Sequence, residues 1–181
     1  MTAQNRVIGR AGWAVSVVVA LLAVTGSALA DGNIDLANKH AWAENAGWHN
    51  WRPTYGGVTV VTNGANSYLT GYAWAENIGW VRLGDGTGPY ANNSATDWGV
   101  NMDAGGKLSG YAWAENVGWI SFSNAYAQVT INTTTGSFDS YAWAENIGWI
   151  HFKNAAPAYN VRTTVFDVLP SVWSGSGFKF K

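Results

Sequence analysis

Four glutamates occupy equivalent positions in this sequence, each followed by an asparagine within the phrase Ala-Trp-Ala-Glu-Asn-X-Gly-Trp. They are Glu44, Glu76, Glu115 and Glu145. Two carboxylates with unequal pKa values can hydrolyse a glycosidic bond, one as the acid and the other as base or nucleophile. Four glutamates in matching contexts offer no such difference, and side chains that hydrogen-bond the backbone of a turn explain them more simply. We therefore predict no catalytic residue and a protein that is not an enzyme.

Two histidines, His40 and His49, flank the first copy of the phrase, and the other copies carry no histidine at these positions. If this copy folds into a hairpin, His40 should lie opposite Trp51 and His49 opposite Trp42. Imidazole is a good ligand for copper and zinc, although two histidines alone do not make a metal site. An alternative function is therefore that of a periplasmic or surface copper- or zinc-binding protein that uses His40 and His49.

The glycine-rich segment 84–88 contains Asp85, and Asp97 follows it. Calcium takes about six to eight oxygen ligands, and two carboxylates with backbone carbonyls could supply some of them. The spacing is not that of an EF-hand, so calcium is a weak alternative and no cofactor is expected. The chain contains no cysteine, which excludes disulfides and thiolate metal sites.

In the second, third and fourth copies, the last tryptophan of the phrase begins a predicted strand, and a polar side chain follows it two residues later. The pairs are Trp80 with Arg82, Trp119 with Ser121, and Trp149 with His151. Exposed indoles at regular spacing beside hydrogen-bonding groups could stack on sugar rings or pack against a second copy of the protein. Alternatively, neighbouring strands cover these indoles and they belong to the core. We predict a ligand or self-association surface at these six residues, with His151 facing solvent.

The phrase recurs with its first tryptophan at positions 42, 74, 113 and 143, a spacing typical of one supersecondary unit used four times. Each unit is predicted to contain three short strands: a Val/Ile/Thr run, the Tyr-Ala-Trp-Ala segment, and a run beginning with the second tryptophan. The Val/Ile/Thr runs are 58–62, 99–102 and 128–132, with a solitary further copy at 159–167. The predicted fold is all-β, with four three-stranded Trp-rich repeats forming a meander, either a closed barrel or a short stacked array, without disulfides.

The Glu-Asn-X-Gly segment predicts a tight hairpin connection, because Asn favours turns and Gly adopts positive φ readily. If residues 115–118 form the whole loop, Trp113 lies opposite Ile120. A one-residue bulge at the glycine would exchange the two faces of the hairpin. Without the bulge, the core face carries Tyr111, Trp113, Ile120 and Phe122, and Trp119 lies over Ala112 and Ala114 on the other face.

The first thirty residues are predicted to be a secretory signal peptide rather than part of the fold. Arg6 and Arg10 precede an apolar run at 13–24, and Ala28-Leu29-Ala30 is typical of a cleavage site, so Asp31 should be the new N-terminus. We expect no transmembrane segment in the mature protein. Residues 31–181 are predicted to form a single domain with repeats at about 34–53, 58–83, 98–123 and 128–153, then a strand and hairpin at 159–181.

The phrase resembles a tandem motif, roughly Gly-Tyr-Ala-Trp-Ser/Ala-Glu-Asn-Ile-Gly-Trp-Ile, of exported bacterial proteins whose function is unassigned. The resemblance covers most of residues 34–153. The first repeat departs from the motif, with Lys39-His40 before the phrase and His49 after it. The resemblance implies an exported bacterial repeat protein and brings no activity or ligand with it.

Taken together, these features predict a non-catalytic structural or binding protein of the periplasm, cell surface or extracellular space. It would act through Trp-rich sheet surfaces, or through self-association into an oligomer or fibre at an edge strand, for which the unpaired run 159–167 is the first candidate. A carbohydrate-binding module with a polysaccharide partner is a further alternative. The formal net charge of −1 gives no reason to expect a nucleic-acid partner.

Overall fold

The computed structural model describes residues 32–167, and the predicted signal peptide (1–30) and closing hairpin (172–181) lie outside them. The described part is all-β, as predicted, with fourteen strands and a single 3₁₀ turn, Gly64–Asn66. None of it is a helix with the length and hydrophobicity of a membrane span. The strands are β1 (Ile34–Ala43), β2 (Gly47–Asn50), β3 (Val58–Val61), β4 (Ser67–Ala75), β5 (Gly79–Arg82), β6 (Val100–Met102), β7 (Leu108–Ala114), β8 (Gly118–Ser121), β9 (Thr130–Ile131), β10 (Phe138–Asp139), β11 (Tyr141–Ala144), β12 (Gly148–His151), β13 (Lys153–Ala155) and β14 (Ala158–Thr163).

The four copies of the phrase form four antiparallel hairpins in one shared register. We number them hairpin 1 (β1–β2), hairpin 2 (β4–β5), hairpin 3 (β7–β8) and hairpin 4 (β11–β12). In hairpin 3, Trp113 lies opposite Trp119 and Ala114 opposite Gly118, so the predicted pairing of Trp113 with Ile120 is wrong by one residue. The Val117 N–H donates to the Ala114 carbonyl at 3.2 Å and closes a turn, and Gly118 follows at φ +83°. The loop therefore has three residues and is followed by a residue in the left-handed conformation. The glycine is the first residue of the second strand, whereas the prediction made it the last residue of the loop.

The hairpins pair with one another in sequence, and the last pairs with the first. The junctions are β2 with β4, β5 with β7, β8 with β11, and β12 with β1, all antiparallel. At the final junction Trp42 lies opposite His151 and Ala43 opposite Ile150. The pairing order of these eight strands is therefore cyclic.

The Val/Ile/Thr runs form a second tier beneath the hairpins. Strand β3 pairs with the first half of β4, β6 lies between β4 and β7, and β14 pairs with β1. The prediction that the run 159–167 is unpaired is therefore wrong for β14, which has β1 on one side and β13 on the other. The first repeat lacks a preceding run of this kind, and β14 supplies it from the far end of the described chain.

The register places small side chains inside the ring of hairpins and large aromatic ones outside. In hairpin 3, Ala112, Ala114 and Ile120 are buried, whereas Tyr111 and Trp119 are exposed. The predicted core face is therefore wrong for Tyr111 and Trp113, although right for Ile120 and Phe122. The reason is the one-residue difference in loop length, because a slip of one residue moves a strand's side chains to the other face of the sheet.

The interior is filled in layers to which each repeat contributes one side chain. One end is closed by the third loop residue of each hairpin: Ala46, Ile78, Val117 and Ile147. The other end is closed by Trp51, Leu83, Phe122 and Phe152. In that layer the Trp51 ring lies 5.0 Å from Phe152 and 6.2 Å from Phe122, and Phe138 from the lower tier stacks on Phe152 at 5.8 Å. Large aromatic side chains of this kind bury about 150–250 Å² each, which stabilises a chain that has no disulfide.

The repeated asparagines join neighbouring loops. The Asn116 side-chain amide donates to the Ile78 carbonyl at 3.0 Å, Asn146 to Val117 at 2.9 Å, and Asn45 to Ile147 at 3.2 Å. Each bond links one hairpin to the previous one, and the last crosses the junction between hairpins 4 and 1. The structural role predicted for the Glu-Asn pairs therefore belongs to these three asparagines and, between hairpins 1 and 2, to Glu76, whose carboxylate accepts the Trp48 N–H at 3.5 Å. The side chains of all four glutamates are exposed.

Replacing Asn146 by alanine should remove one inter-hairpin hydrogen bond and lower the free energy of unfolding by about 1 kcal/mol. Urea unfolding followed by tryptophan fluorescence measures this effect. The matched control is Glu145→Ala, which changes the neighbouring exposed residue and should alter stability by less than about 0.5 kcal/mol. Equal effects of the two substitutions would contradict this account of the asparagines.

Strand β4 bends at Gly71, where it passes from the lower tier to the hairpin tier. Gly71 has φ +90°, and a Cβ added there would overlap the Gly57 carbonyl oxygen. Gly64 also has positive φ (+57°), but its added Cβ would meet nothing within 4 Å.

We expect Gly64→Ala to cost about 1 kcal/mol, the usual strain of a left-handed residue. Gly71→Ala should cost about 1–3 kcal/mol more because of the overlap. Thermal unfolding of the two variants tests the difference, and equal melting temperatures would refute it.

Candidate functional site

The outer face of every hairpin carries a cross-strand pair of tryptophans packed edge to face. The ring centroids are 4.7–5.0 Å apart and the planes cross at 63–74°. The pairs are Trp42–Trp48, Trp74–Trp80, Trp113–Trp119 and Trp143–Trp149. Because the interior layer beneath them is lined by alanine, these eight indoles form a surface layer rather than a core. We call them the outer aromatic surface.

A third ring extends each pair along its hairpin. Tyr72, Tyr111 and Tyr141 lie 5.9–6.2 Å from the second tryptophan of their hairpins, and His40 takes this position in hairpin 1 at 6.0 Å. The second tryptophans of hairpins 2, 3 and 4 are 40–45% exposed. Trp48 is more covered, because Tyr159 of β14 packs on it at 5.2 Å. The surface is therefore most accessible on hairpins 2 to 4.

All six residues of the predicted surface lie on this outer face. Trp80, Trp119 and Trp149 are exposed, and Arg82, Ser121 and His151 are half-buried beside them. The predicted floor of alanines is wrong, since Trp119 packs on Trp113. His151 does not simply face solvent: Tyr141 stacks on its ring at 4.2 Å, and its Nδ1 lies 3.0 Å from the Tyr159 hydroxyl. Burial lowers the pKa of His151, against an opposing effect of Asp139.

One cleft, of about 1070 Å³, opens between hairpins 2 and 3. Its walls carry indoles of both hairpins: Trp74, Trp80, Trp113 and Trp119. Polar side chains are interspersed with them: Arg82, Asp85, Glu115 and Asn116. The segment that follows β5 adds Asp85, Ala95 and Trp98 to the lining. This segment is the insertion that makes the spacing between the second and third copies the longest in the chain.

Trp98 is the residue that sequence reasoning missed. It is only 7% exposed, packs edge to face on Trp119 at 5.1 Å, and has the Arg82 guanidinium 5.5 Å from its ring centre. The Arg82 guanidinium also forms an ion pair with Asp85 at 2.9 Å. A tryptophan outside the repeated phrase, next to the longest spacing, was the available signal. These contacts orient the Arg82 guanidinium beside the aromatic side chains of the cleft.

The inserted loop is fixed from within by Tyr90. Its hydroxyl lies 3.1 Å from both the Leu69 and the Gly86 carbonyl oxygens, and burial raises its pKa. The two acids considered for calcium are engaged elsewhere, since Asp85 pairs with Arg82 and Asp97 accepts the Ala91 N–H at 3.0 Å. The loop thus supplies a hydrogen-bonded wall of the cleft.

His40 and His49 lie on opposite faces of hairpin 1. His49 is opposite Ala41 and is buried inside, and His40 is opposite Asn50 and faces outward, so the predicted pairings with Trp42 and Trp51 are each wrong by one residue. Their alternation places them where they cannot ligate the same ion. Within residues 32–167 no three His, Asp or Glu side chains cluster as a metal site would require.

A smaller cleft of about 560 Å³ lies between hairpin 1 and the β13–β14 hairpin. His40, Trp48, Lys153 and Tyr159 are among its lining residues. It has a single indole, in contrast to the five that line the cleft between hairpins 2 and 3.

No family model, curated protein or solved structure matches this chain.

His49 should make the protein less stable in acid. Burial lowers its pKa from 6.5 to about 4, and its Nε2 is buried without a hydrogen-bond partner. Between pH 6.5 and 4 the unfolded chain binds a proton at this residue that the folded chain does not. Stability should therefore be complete above pH 6.5 and fall by about 3 kcal/mol as the pH approaches 4.

His49→Val introduces the residue that hairpin 2 has at the equivalent position, Val81. This variant should remove most of the loss of stability between pH 7.5 and pH 4.5, as measured by urea unfolding. His40→Tyr, which copies the other hairpins at a half-exposed position, serves as control and should retain it. A His49→Val protein with the original pH dependence would show that the loss arises elsewhere.

Proposed function

We propose that this chain is an exported, non-catalytic binding protein of the cell surface or extracellular space, and that it binds through the outer aromatic surface. The observation that carries the proposal is the placement of the indoles. Each hairpin has alanines inside and two tryptophans outside, so the largest apolar side chains of the hairpin strands lie on the surface. Monomeric proteins rarely expose contiguous apolar patches larger than a few hundred Å², and larger ones mark interaction sites.

Folding alone accounts for only part of this aromatic layer. An edge-to-face aromatic pair contributes about 0.5–1.5 kcal/mol beyond the burial of its area. Trp80, Trp119 and Trp149 nevertheless remain 40–45% exposed after making these contacts. Tryptophan is enriched among the residues that dominate binding energies, because one rigid ring brings a large contact area with few rotatable bonds. A partner that covers the second tryptophans would complete their burial.

The pairing pattern favours binding through side chains over binding through strand edges. Every hairpin strand has a neighbour on each side, and β14 is paired on both. In the described region the sheet order ends at β13, which has three residues and includes a lysine, Lys153. Strand β3 pairs only with β4, and on its other side Asn33 bonds the backbone of Val58 and Val60. Short edges with lysine are a common way in which proteins avoid edge-to-edge association. Self-association would therefore use the aromatic surface of a second copy, which sedimentation would reveal.

The test is co-sedimentation of the protein with the insoluble envelope material of its source cells. The full-length chain is expressed with residues 1–30 in place, and a mass beginning at Asp31 in the recovered protein checks export. We expect binding that falls at least about tenfold, equivalent to about 1.4 kcal/mol, in the triple variant Trp80→Ser, Trp119→Ser, Trp149→Ser. Tyr126→Ser removes an aromatic ring that is 88% exposed but lies outside the surface, and should bind normally.

Circular dichroism on every variant separates lost binding from lost fold. Undiminished binding by a folded triple variant contradicts the proposal, as does a wild-type protein that sediments as a monomer and leaves the envelope material unbound. An unprocessed chain retained inside the cell contradicts the exported part of it.

A further inference from the structure

We infer that the cleft between hairpins 2 and 3 is a binding site for a neutral oligosaccharide. The inference rests on the proposed function and names the ligand class at one part of the outer aromatic surface. One wall of this cleft is formed by residues that do not belong to the repeat. The tryptophan pairs and the inter-hairpin register occur in every repeat and follow from the fold, whereas the segment 84–98 occurs once and builds one wall of this cleft.

The side chains in the cleft fit the two kinds of surface that a sugar ring presents. A pyranose has an apolar face of C–H groups, which packs against an indole, and a rim of hydroxyls that both donate and accept hydrogen bonds. Five indoles line the cleft, and Arg82 and Asp85 bring donors and acceptors to it. Mostly aromatic walls with a few placed polar groups are the usual composition of a ligand pocket.

The polar groups are held in place before a ligand arrives. Arg82 lies opposite Trp113 in the sheet, pairs with Asp85 at 2.9 Å, and stands over the Trp98 ring. Fixing a recognition group beforehand reduces the entropy lost on binding. At the equivalent positions hairpins 3 and 4 have Ser121 and His151, so this arrangement belongs to one junction.

The charges favour a ligand without net charge. The positive charge of Arg82 is balanced by Asp85, and the other charged residue lining the cleft is the exposed Glu115. An anionic glycan would meet no unbalanced cation at these residues. The volume of about 1070 Å³ lies just above the range of about 300–1,000 Å³ that ligand pockets span, so a chain of several sugar rings fits better than one.

Proline-rich peptides also bind aromatic-lined grooves, and they are the main rival occupant. A polyproline segment presents carbonyl acceptors but few donors, so it would satisfy Arg82 and leave the Asp85 carboxylate without a partner beyond Arg82. Hydroxyls satisfy both groups. The Arg82–Asp85 pair therefore favours the saccharide.

The experiment is a titration of the purified protein, followed by tryptophan fluorescence and isothermal calorimetry. The probes are five neutral hexasaccharides (cellohexaose, chitohexaose, xylohexaose, mannohexaose and maltohexaose), an oligogalacturonate as the anionic comparison, and decaproline. We expect at least one neutral hexasaccharide to bind, more tightly than the oligogalacturonate and decaproline.

Two matched pairs of variants locate the site. Trp119→Ala should weaken the affinity for the hexasaccharide at least tenfold. Trp149→Ala breaks an equivalent pair with the same 4.7 Å spacing; it belongs to the wider envelope-binding surface but lies outside the cleft, so the hexasaccharide affinity should be unchanged. Arg82→Ser copies the residue of hairpin 3 and should also weaken binding at least tenfold, whereas Ser121→Ala should not. The Arg82 variant changes a half-buried surface residue, so the test survives even if Trp119→Ala fails to fold.

The inference is overturned if none of the five hexasaccharides binds at millimolar concentration, if Trp119→Ala and Trp149→Ala behave alike, or if decaproline binds instead. These failures are separable from failure of the proposed function. Envelope binding that still depends on the outer tryptophans, with no saccharide binding, would leave the binding function standing and remove only the ligand class.

Discussion

The structure depends on one backbone constraint, the left-handed glycine that follows each three-residue hairpin loop. Gly47, Gly79, Gly118 and Gly148 have φ between +72° and +83°, a range that glycine adopts without the steric cost paid by other residues. This geometry makes each glycine pair with the last alanine of the preceding strand, which places tryptophan opposite tryptophan. A register shifted by one residue would turn the alanines outward and the indoles of one strand inward. The alanine-lined interior, the aromatic exterior and the asparagine bonds between loops all follow from it.

The first repeat shows how such an interior tolerates variation. Where other hairpins have Ile or Val at the loop, hairpin 1 has the smaller Ala46, and where others have Leu or Phe at the opposite end, it has the larger Trp51. Opposite changes in volume within one repeat are easier to accommodate than a change at one layer alone. In a stacked array, an atypical first repeat would be the effect of a missing neighbour. Here hairpin 1 pairs on both sides, with β12 and with β4, so its differences reflect packing and the strand it borrows from β14.

The sequence predicted the all-β class and the existence of the hairpins, because Tyr-Ala-Trp-Ala alternates and Glu-Asn-X-Gly is a turn sequence. It did not predict the register, since a glycine can end a four-residue loop or begin the next strand, and only its φ distinguishes the two. The pairing of β14 with β1 was missed because it joins residues more than a hundred positions apart, and short strands carry no local sign of so distant a partner. The cleft was missed because Trp98 lies outside the repeated phrase, where periodicity gives no information.

Under the proposed function, the repeated residues and the residues that occur once contribute differently to binding. In each edge-to-face pair, the first tryptophan supports the second and limits the orientations that the exposed ring can adopt, so less side-chain entropy remains to be lost on contact with a partner. That support occurs in all four hairpins and cannot by itself distinguish one ligand from another. Discrimination requires groups that differ from repeat to repeat, because specificity is a difference between the affinities for two partners. Arg82, Asp85 and Trp98 differ from the other repeats at a single junction, and under the proposed function the insertion that carries two of them would give one part of the binding surface its own chemistry.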